Sequence, residues 1–166
     1  TTFRITGKKP GKAHIVISDA SRVTKAFDVE VIAPAPPSSP SFGPEKEIVR
    51  IANISWVQNG PRAASTFTIG RPHKITAIQT YHWNNGRGQP GGTIALKSSS
   101  GQTYGPWSVT TQPGMGGAPN AYWMVKPNVV IPAGQYTIID SHPSTWSFNL
   151  QSGNRGMVVV NGAEQK

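Results

Sequence analysis

Apolar and polar residues alternate along this chain in short runs, and Gly, Pro, Asn or Ser separates nearly every run from the next. Alternation with a period of two indicates a β-strand that has one buried face. No window has the 3.6-residue period of an amphipathic helix, and the 15 prolines also argue against long helices. The pattern therefore predicts an all-β protein.

The strand pattern is densest in residues 45–166. The predicted strands are residues 47–55, 65–69, 74–83, 92–98, 121–126, 128–131, 135–140 and 156–160. Short strands with turn residues between them are typical of sandwiches and jelly rolls. We therefore expect an antiparallel, jelly-roll-like β-sandwich in this part of the chain.

The first 32 residues alternate in "AHIVIS" and again in "FDVEVI", and they predict a β segment about three strands long. Two glycines and three small or aliphatic residues are regularly spaced in it, namely Gly7, Gly11, Ala13, Ile15 and Ile17. With these residues the segment resembles the C-terminal strands of a bacterial Ig-like domain. The resemblance covers residues 3–32, and it implies only a short Ig-like segment because a whole Ig-like sandwich needs about seven strands.

Proline and serine dominate residues 33–44, "APAPPSSPSFGP". Such a composition predicts an extended, semi-rigid linker. The sequence thus predicts three parts, which are an Ig-like β segment over 1–32, a linker over 33–44 and a binding module over 45–166.

The chain is basic, with 16 Lys and Arg against 7 Asp and Glu and a formal charge of +9. An excess of this kind favours anionic partners, such as an acidic polysaccharide, an anionic cell-surface glycan or nucleic acid. The charges are spread along the chain, so an inert basic surface is an equal alternative. The absence of cysteine excludes disulfides and thiol catalysis, and no apolar run approaches the ~20 residues of a membrane-spanning helix.

Carboxylates are scarce after the linker, where only Glu45, Glu47, Asp140 and Glu164 occur. A glycosidase needs two carboxylates that face one bond, and only Asp140 lies inside the domain. The sequence "DSH" at 140–142 contains the residue types of a catalytic triad, but neighbours on an extended chain point to opposite faces. We therefore expect no enzymatic activity and no cofactor. Backbone carbonyls could still join Asp140 around a metal ion.

Aromatic side chains cluster with polar ones beside the loops, whereas Trp56 ends an apolar run and is expected in the core. Indole and phenol rings stack on the C–H faces of sugars, and Asn, Arg, Asp and His bond to the hydroxyls. His82 and His142 are also candidates for hydrogen bonds at the base of a loop. The candidate ligand-binding residues are Tyr81, Trp83, Asn84, Asn85, Arg87, Tyr104, Trp107, Tyr122, Trp123, Asp140, His142 and Trp146.

In architecture and composition the domain resembles carbohydrate-binding modules. The patterns "IPAG-x-Y-T" and "D-S-x-P-x-T-W-S" are also similar to a terminal module of secreted bacterial proteins. These resemblances imply an extracellular accessory module that binds polysaccharide. One alternative is a structural or adhesive module whose tryptophans fill the core. A minor alternative is single-stranded nucleic-acid binding, although no RNP1, KH or zinc-finger motif is present.

The stretch "YHWNNGRGQPGG" at residues 81–92 combines aromatic, amide and glycine residues. Asn85 and Gly86 predict a type I′ hairpin turn between strands 74–83 and 92–98. Beside this turn we expect Trp83 to be a stacking platform. The alternation of strand 74–83 predicts one face with Ile75, Ala77, Gln79, Tyr81 and Trp83, and a second face with Ile78 and His82.

Overall fold

A computed structural model describes residue 6 and residues 8–18, 20–22, 24–33 and 39–166. The chain divides into two compact units, with the boundary between Ser39 and Pro40. Strands dominate both units, and the helical residues among those described are limited to three short 3-10 turns. The prediction of an all-β protein is therefore confirmed. No helix within the described residues is long and apolar enough to cross a membrane.

The first unit is an antiparallel hairpin of β1 (Gly11–Ser18) and β2 (Thr24–Val31). His14 lies opposite Asp28, and its Nδ1 atom is 2.7 Å from the carboxylate. Most side chains of both strands are exposed. These are two of the roughly three predicted strands, and Gly7 of the Ig-like pattern lies outside the described residues.

The second unit contains twelve strands. They are β3 (Lys46–Arg50), β4 (Gln58–Asn59), β5 (Thr66–Ile69), β6 (His73–Tyr81), β7 (Thr93–Ser98), β8 (Thr103–Ser108), β9 (Thr110–Gln112), β10 (Tyr122–Val125), β11 (Val129–Ile131), β12 (Gly134–Asp140), β13 (Ser147–Phe148) and β14 (Val158–Glu164). The 3-10 turns are Asn84–Gly86, Met115–Gly117 and Pro143–Thr145.

Most of these strands belong to two antiparallel sheets. In the first sheet the order is β3-β14-β6-β10-β9, and β11 also pairs with β6. In the second sheet the order is β5-β12-β7-β8, while β4 and β13 form a separate pair. Consecutive strands such as β6 and β7 therefore lie in different sheets.

Both sheets contribute side chains to a single hydrophobic core. The first sheet supplies Ile75, Ile78, Trp123, Val125, Val158 and Val160, and the second supplies Phe67, Ile69, Ile94, Leu96, Tyr136 and Ile138. Removal of this apolar surface from water is the main favourable term that holds the unit together.

Each of the eight predicted runs coincides with an observed strand, although the first is too long. The sequence predicts one strand over residues 47–55, but β3 ends at Arg50, and the last bond to β14 runs from the Ile51 N–H to the Val158 carbonyl at 2.8 Å. Four observed strands have no counterpart among the predicted runs, namely β4, β8, β9 and β13. In β8, "TYGPWS", glycine and proline interrupt the alternation that a strand prediction requires.

The predicted faces of β6 are wrong at Ile75. Asn161 of β14 pairs with Ala77, but the next residue, Gly162, pairs with Ile75, so β6 has one extra residue at this point. Such a β-bulge turns the following side chains to the other face. Ile75 and Ile78 are consequently both fully buried.

The predicted hairpin at residues 81–92 is also wrong, because the strands on either side belong to different sheets. The positive φ values that a turn at Asn85 and Gly86 requires are nevertheless present. Asn84, Asn85 and Gly86 have positive φ values of 48°, 56° and 79°. These residues form a 3-10 turn in a connection between the sheets.

The predicted linker, residues 33–44, lies partly outside the described residues. At its end, the Gly43 N–H donates to the Glu164 carbonyl at 2.8 Å, and Phe42 bridges to Gln165. These last residues are therefore paired with the end of the second unit.

Candidate functional site

The second unit contains an open groove of about 310 Å³ at the loop that follows β3. Apolar and aromatic side chains dominate its walls, and none of the described lining residues carries a charge. The lining residues are Asn53, Ile54, Ser55, Trp56, Val57, Tyr81, Trp83, Met115 and Gly116. Ligand sites in proteins are commonly concave and largely apolar in this way.

Trp56 is the most exposed aromatic side chain of the groove, with 88% of its surface accessible. The prediction that it lies in the core is wrong. The reason is that the chain is buried at Ile51, directly after β3, and the loop that follows over residues 52–57 faces solvent. Ile54 in the same loop is 90% exposed. Large apolar side chains that adjoin one another at a surface are characteristic of binding sites.

Trp56 and Trp83 meet edge to face, with ring centroids 6.4 Å apart and planes at 88°. Trp83 is half-buried and held by its backbone. Its N–H donates to the Ser147 hydroxyl at 2.9 Å, and its carbonyl accepts from the N–H groups of Gly86 and Gly88 at 3.0 Å each. The two indoles therefore form a right-angled corner, in which the backbone of Trp83 is held in place by hydrogen bonds.

The loop that carries Trp56 is tied to residues 149–151. Asn53 and Asn149 exchange two amide hydrogen bonds of 3.1 and 2.8 Å. Asn149 also donates to the Trp56 carbonyl at 3.1 Å, and the Ser55 hydroxyl donates to Gln151 at 2.8 Å. These bonds hold Trp56 in place without burying it, which reduces the entropy lost when a ligand binds.

Tyr81 closes the other side of the groove. Its ring contacts Tyr122, with centroids 4.7 Å apart, and its hydroxyl accepts the Met115 N–H at 3.2 Å. Burial raises the pKa of the Tyr81 phenol, although the bond from Met115 acts in the opposite direction. The phenol is therefore neutral at physiological pH and keeps its own hydrogen for donation.

A second polar cluster lies inside the unit, around Asp140. Its Oδ2 atom is 3.0 Å from both His82 Nε2 and the Thr80 hydroxyl, and the side chains of Asp140 and His82 are fully buried. His82 Nδ1 lies 3.1 Å from the Thr145 hydroxyl. The ring of Trp123 stacks on His82 with centroids 4.0 Å apart. The side chains of Asp140, His82 and Thr80 are not among those that line the groove.

The structure brings only part of the predicted ligand set to the groove. Tyr81 and Trp83 line it, and Tyr122 packs against Tyr81. On the neighbouring turn, Asn84 donates to the Gly88 carbonyl at 2.8 Å. The adjacent Asn85 and Arg87 are exposed.

Three residues predicted to bind ligand, Trp123, Trp146 and Asp140, are instead buried. The Trp123 indole N–H donates to the Gln89 carbonyl at 2.9 Å, and that of Trp146 donates to the Met157 carbonyl at 2.8 Å. An indole that is enclosed and bonded to a backbone carbonyl has a structural role. Their prediction as surface contacts is therefore corrected.

The remaining candidates lie away from the groove lining. Tyr104 and Trp107 are in β8 of the second sheet and pack half-buried against the core. His142 is exposed, and its Nδ1 atom is 3.0 Å from the Ser141 hydroxyl. None of these three side chains lines the groove.

Sequence reasoning missed Ile54, Trp56 and Met115 as site residues. A signal for two of them exists, because Ile54 and Trp56 differ in parity from the buried Ile51. If strict alternation is counted from Ile51, both residues face away from the core. Met115 has no such signal, since a turn between glycines carries no periodic pattern.

No group of three or more His, Cys, Asp or Glu residues is placed to hold a metal ion in the part of the chain that the structure describes. No protein-family model matches the chain. Comparison with curated proteins and with solved structures likewise gives no match.

Proposed function

We propose that the second unit is a β-sandwich that binds polysaccharide without cleaving it, as an accessory module of a secreted or cell-surface protein. The sandwich arrangement is supported by the single core to which both sheets contribute. The binding function is supported above all by one observation, the braced and 88% exposed Trp56 at right angles to Trp83.

An exposed indole suits a pyranose ring for physical reasons. The axial C–H groups of the sugar contact the face of the ring, and the apolar area that both remove from water favours association. Trp56 offers this surface in a loop whose conformation is already fixed by Asn53 and Asn149. A ligand therefore gains the contact with little cost in ordering the protein.

The non-catalytic part of the proposal is supported by the positions of the carboxylates. Asp140 is enclosed with His82, Glu47 is paired with Arg50, and Glu164 lies 3.1 Å from Arg71. A general acid or base must reach the bond that it helps to break. None of these three carboxylates lines the groove.

An adhesive module is the second candidate, and the exposure of Ile54 (90%) and Leu150 (84%) favours it. Aliphatic side chains suit an apolar protein surface better than a hydroxylated ligand. Nucleic acid is less favoured, because binding to phosphates requires Lys or Arg and the described groove lining contains neither.

The proposal can be tested by affinity electrophoresis of the whole chain in gels that contain neutral or acidic polysaccharides. We expect at least one polysaccharide to retard the protein, and Trp56→Ala to weaken binding about tenfold, or ~1.4 kcal/mol. Ile139→Ala is the matched control, because Ile139 is 42% exposed on β12 and does not line the groove. Absence of retardation in every gel, or equal retardation of Trp56→Ala, would refute the proposal.

A further inference from the structure

We infer that the groove selects a neutral sugar with an acetamido group, that is, an N-acetylated hexosamine unit of a glycan chain. This inference rests on the proposed polysaccharide binding and specifies its ligand class. It follows from the charge of the groove, from the state of its polar groups and from the angle between its two indoles.

The absence of charge in the described groove lining argues against an acidic ligand. A uronate or sulfate held at Trp56 would lie beside Ile54 and Met115 without a Lys or Arg side chain to pair with it. An ion that loses water without gaining a counter-charge is disfavoured. The formal charge of +9 therefore resides outside the groove.

The side chains of Asn53 and Ser55 in the groove wall are already engaged with protein partners. Asn53 Oδ1 accepts the Ser55 N–H at 3.1 Å and the Asn149 amide at 2.8 Å, and the Ser55 hydroxyl donates to Gln151 at 2.8 Å. A plain hexose presents hydroxyls around its whole rim, and each of them loses water on entering. Hydroxyls that find no partner oppose binding. The groove therefore favours a sugar with an apolar substituent on its rim.

The corner formed by Trp56 and Trp83 provides a place for that substituent. When one indole stacks under the sugar face, the other stands at the sugar's edge, because the planes meet at 88°. A methyl group on the edge then contacts the second indole and the nearby Met115 side chain.

An acetamido group supplies both the methyl and a carbonyl oxygen. The Tyr81 hydroxyl accepts from the Met115 N–H at 3.2 Å, so its own hydrogen is available for donation to an acceptor in the groove. A 6-deoxy sugar offers a methyl group without this acceptor. The combination of apolar corner and phenol donor therefore fits the acetamido group better.

The decisive comparison uses three β-1,4-linked oligosaccharides of equal length that differ only at carbon 2. Glucose units carry a hydroxyl there, glucosamine units an ammonium, and N-acetylglucosamine units the acetamido group. Calorimetry with the whole chain should show at least about tenfold tighter binding of the acetamido oligomer than of either other oligomer. Its affinity should change by less than about twofold between low and high salt, because no charge is involved.

Met115→Ala should reduce the preference for the acetamido oligomer, with Ile139→Ala as the unaffected control. Equal or tighter binding of the glucose or glucosamine oligomer overturns the inference and leaves the proposed function intact. If none of these oligomers binds but another polysaccharide binds through Trp56, the inference is also overturned and the proposed function stays intact. If no glycan binds at all, both the inference and the proposed function fail.

Discussion

His82 Nε2 lies 3.0 Å from Asp140 Oδ2, and this buried pair joins the two sheets. His82 directly follows β6 of the first sheet, whereas Asp140 ends β12 of the second. The carboxylate accepts two further hydrogen bonds, from the Thr80 hydroxyl at 3.0 Å and from the His142 N–H at 2.8 Å. The cluster therefore acts as a polar clamp beside the hydrophobic core.

Asp140→Ala should lower the free energy of unfolding by ~3–5 kcal/mol, because it leaves the buried donors of His82 and Thr80 without their acceptor. Urea denaturation measures this loss. Glu47→Ala is the control, since the ion pair of Glu47 with Arg50 is at the surface and should contribute less than ~1 kcal/mol. A similar loss in both variants would contradict the role of Asp140 as a clamp.

The tryptophans should divide into two classes. Trp146→Ala should cost ~3–5 kcal/mol of stability, because Trp146 is 5% exposed and its N–H is bonded to Met157. Trp56→Ala should change stability by less than ~0.5 kcal/mol, because its side chain is mostly in water. Thermal unfolding of both variants tests this expectation, and a large loss in Trp56→Ala would show that the indole is structural.

The sequence predicted where strands lie better than it predicted their partners. Alternation is a local signal, and it located β6 and β7 to within a few residues. Whether two consecutive strands pair depends on contacts with distant segments. β6 pairs with β14, and β7 pairs with β12, so the hairpin suggested by Asn85 and Gly86 does not form.

The candidate site could also be predicted only in part, because local signals identify some of its residues and the others depend on where a strand ends. Tyr81 and Trp83 were identified because they adjoin a recognisable turn. The apolar run before Trp56 predicts a core position for it, but β3 ends at Arg50 and Trp56 is exposed. Where a strand ends depends on its neighbour. The register of β14 with β3 ends at Arg50, and one last bond joins the Ile51 N–H to the Val158 carbonyl at 2.8 Å.

Gly88, in the turn after Trp83, lies at a close approach to another segment. Its φ is +63°, and a Cβ at this position would lie 1.5 Å from the Pro119 carbonyl oxygen. Gly86 has a φ of +79° but open space around it. Gly86→Ala should therefore cost only the ~1–2 kcal/mol of a positive φ, whereas Gly88→Ala should add ~1–3 kcal/mol or more from crowding. Urea denaturation of the two variants isolates the close approach, and equal losses would contradict it.

The core phenol of Tyr136 should control stability at alkaline pH. The residue is 1% exposed, and its hydroxyl donates to the Pro132 carbonyl at 2.8 Å. Burial raises its pKa to about 12, with a smaller contribution from Tyr104, against ~10 for a tyrosine in an unfolded chain.

Because the folded protein holds this proton more tightly than the unfolded chain, the neutral Tyr136 phenol stabilises the fold fully below pH ~10. That contribution should be lost as the pH rises through about 12. A phenolate absorbance titration, run together with circular dichroism, should show one tyrosine that ionises only as the fold is lost.

Tyr136→Phe removes this step and should make stability less dependent on pH above ~10. The raised pKa of Tyr81 is present in the unmodified protein and in Tyr136→Phe alike, so it does not affect the comparison between the two. If Tyr136 ionises near pH ~10 while the fold remains intact, the buried phenol is not the group that limits alkaline stability.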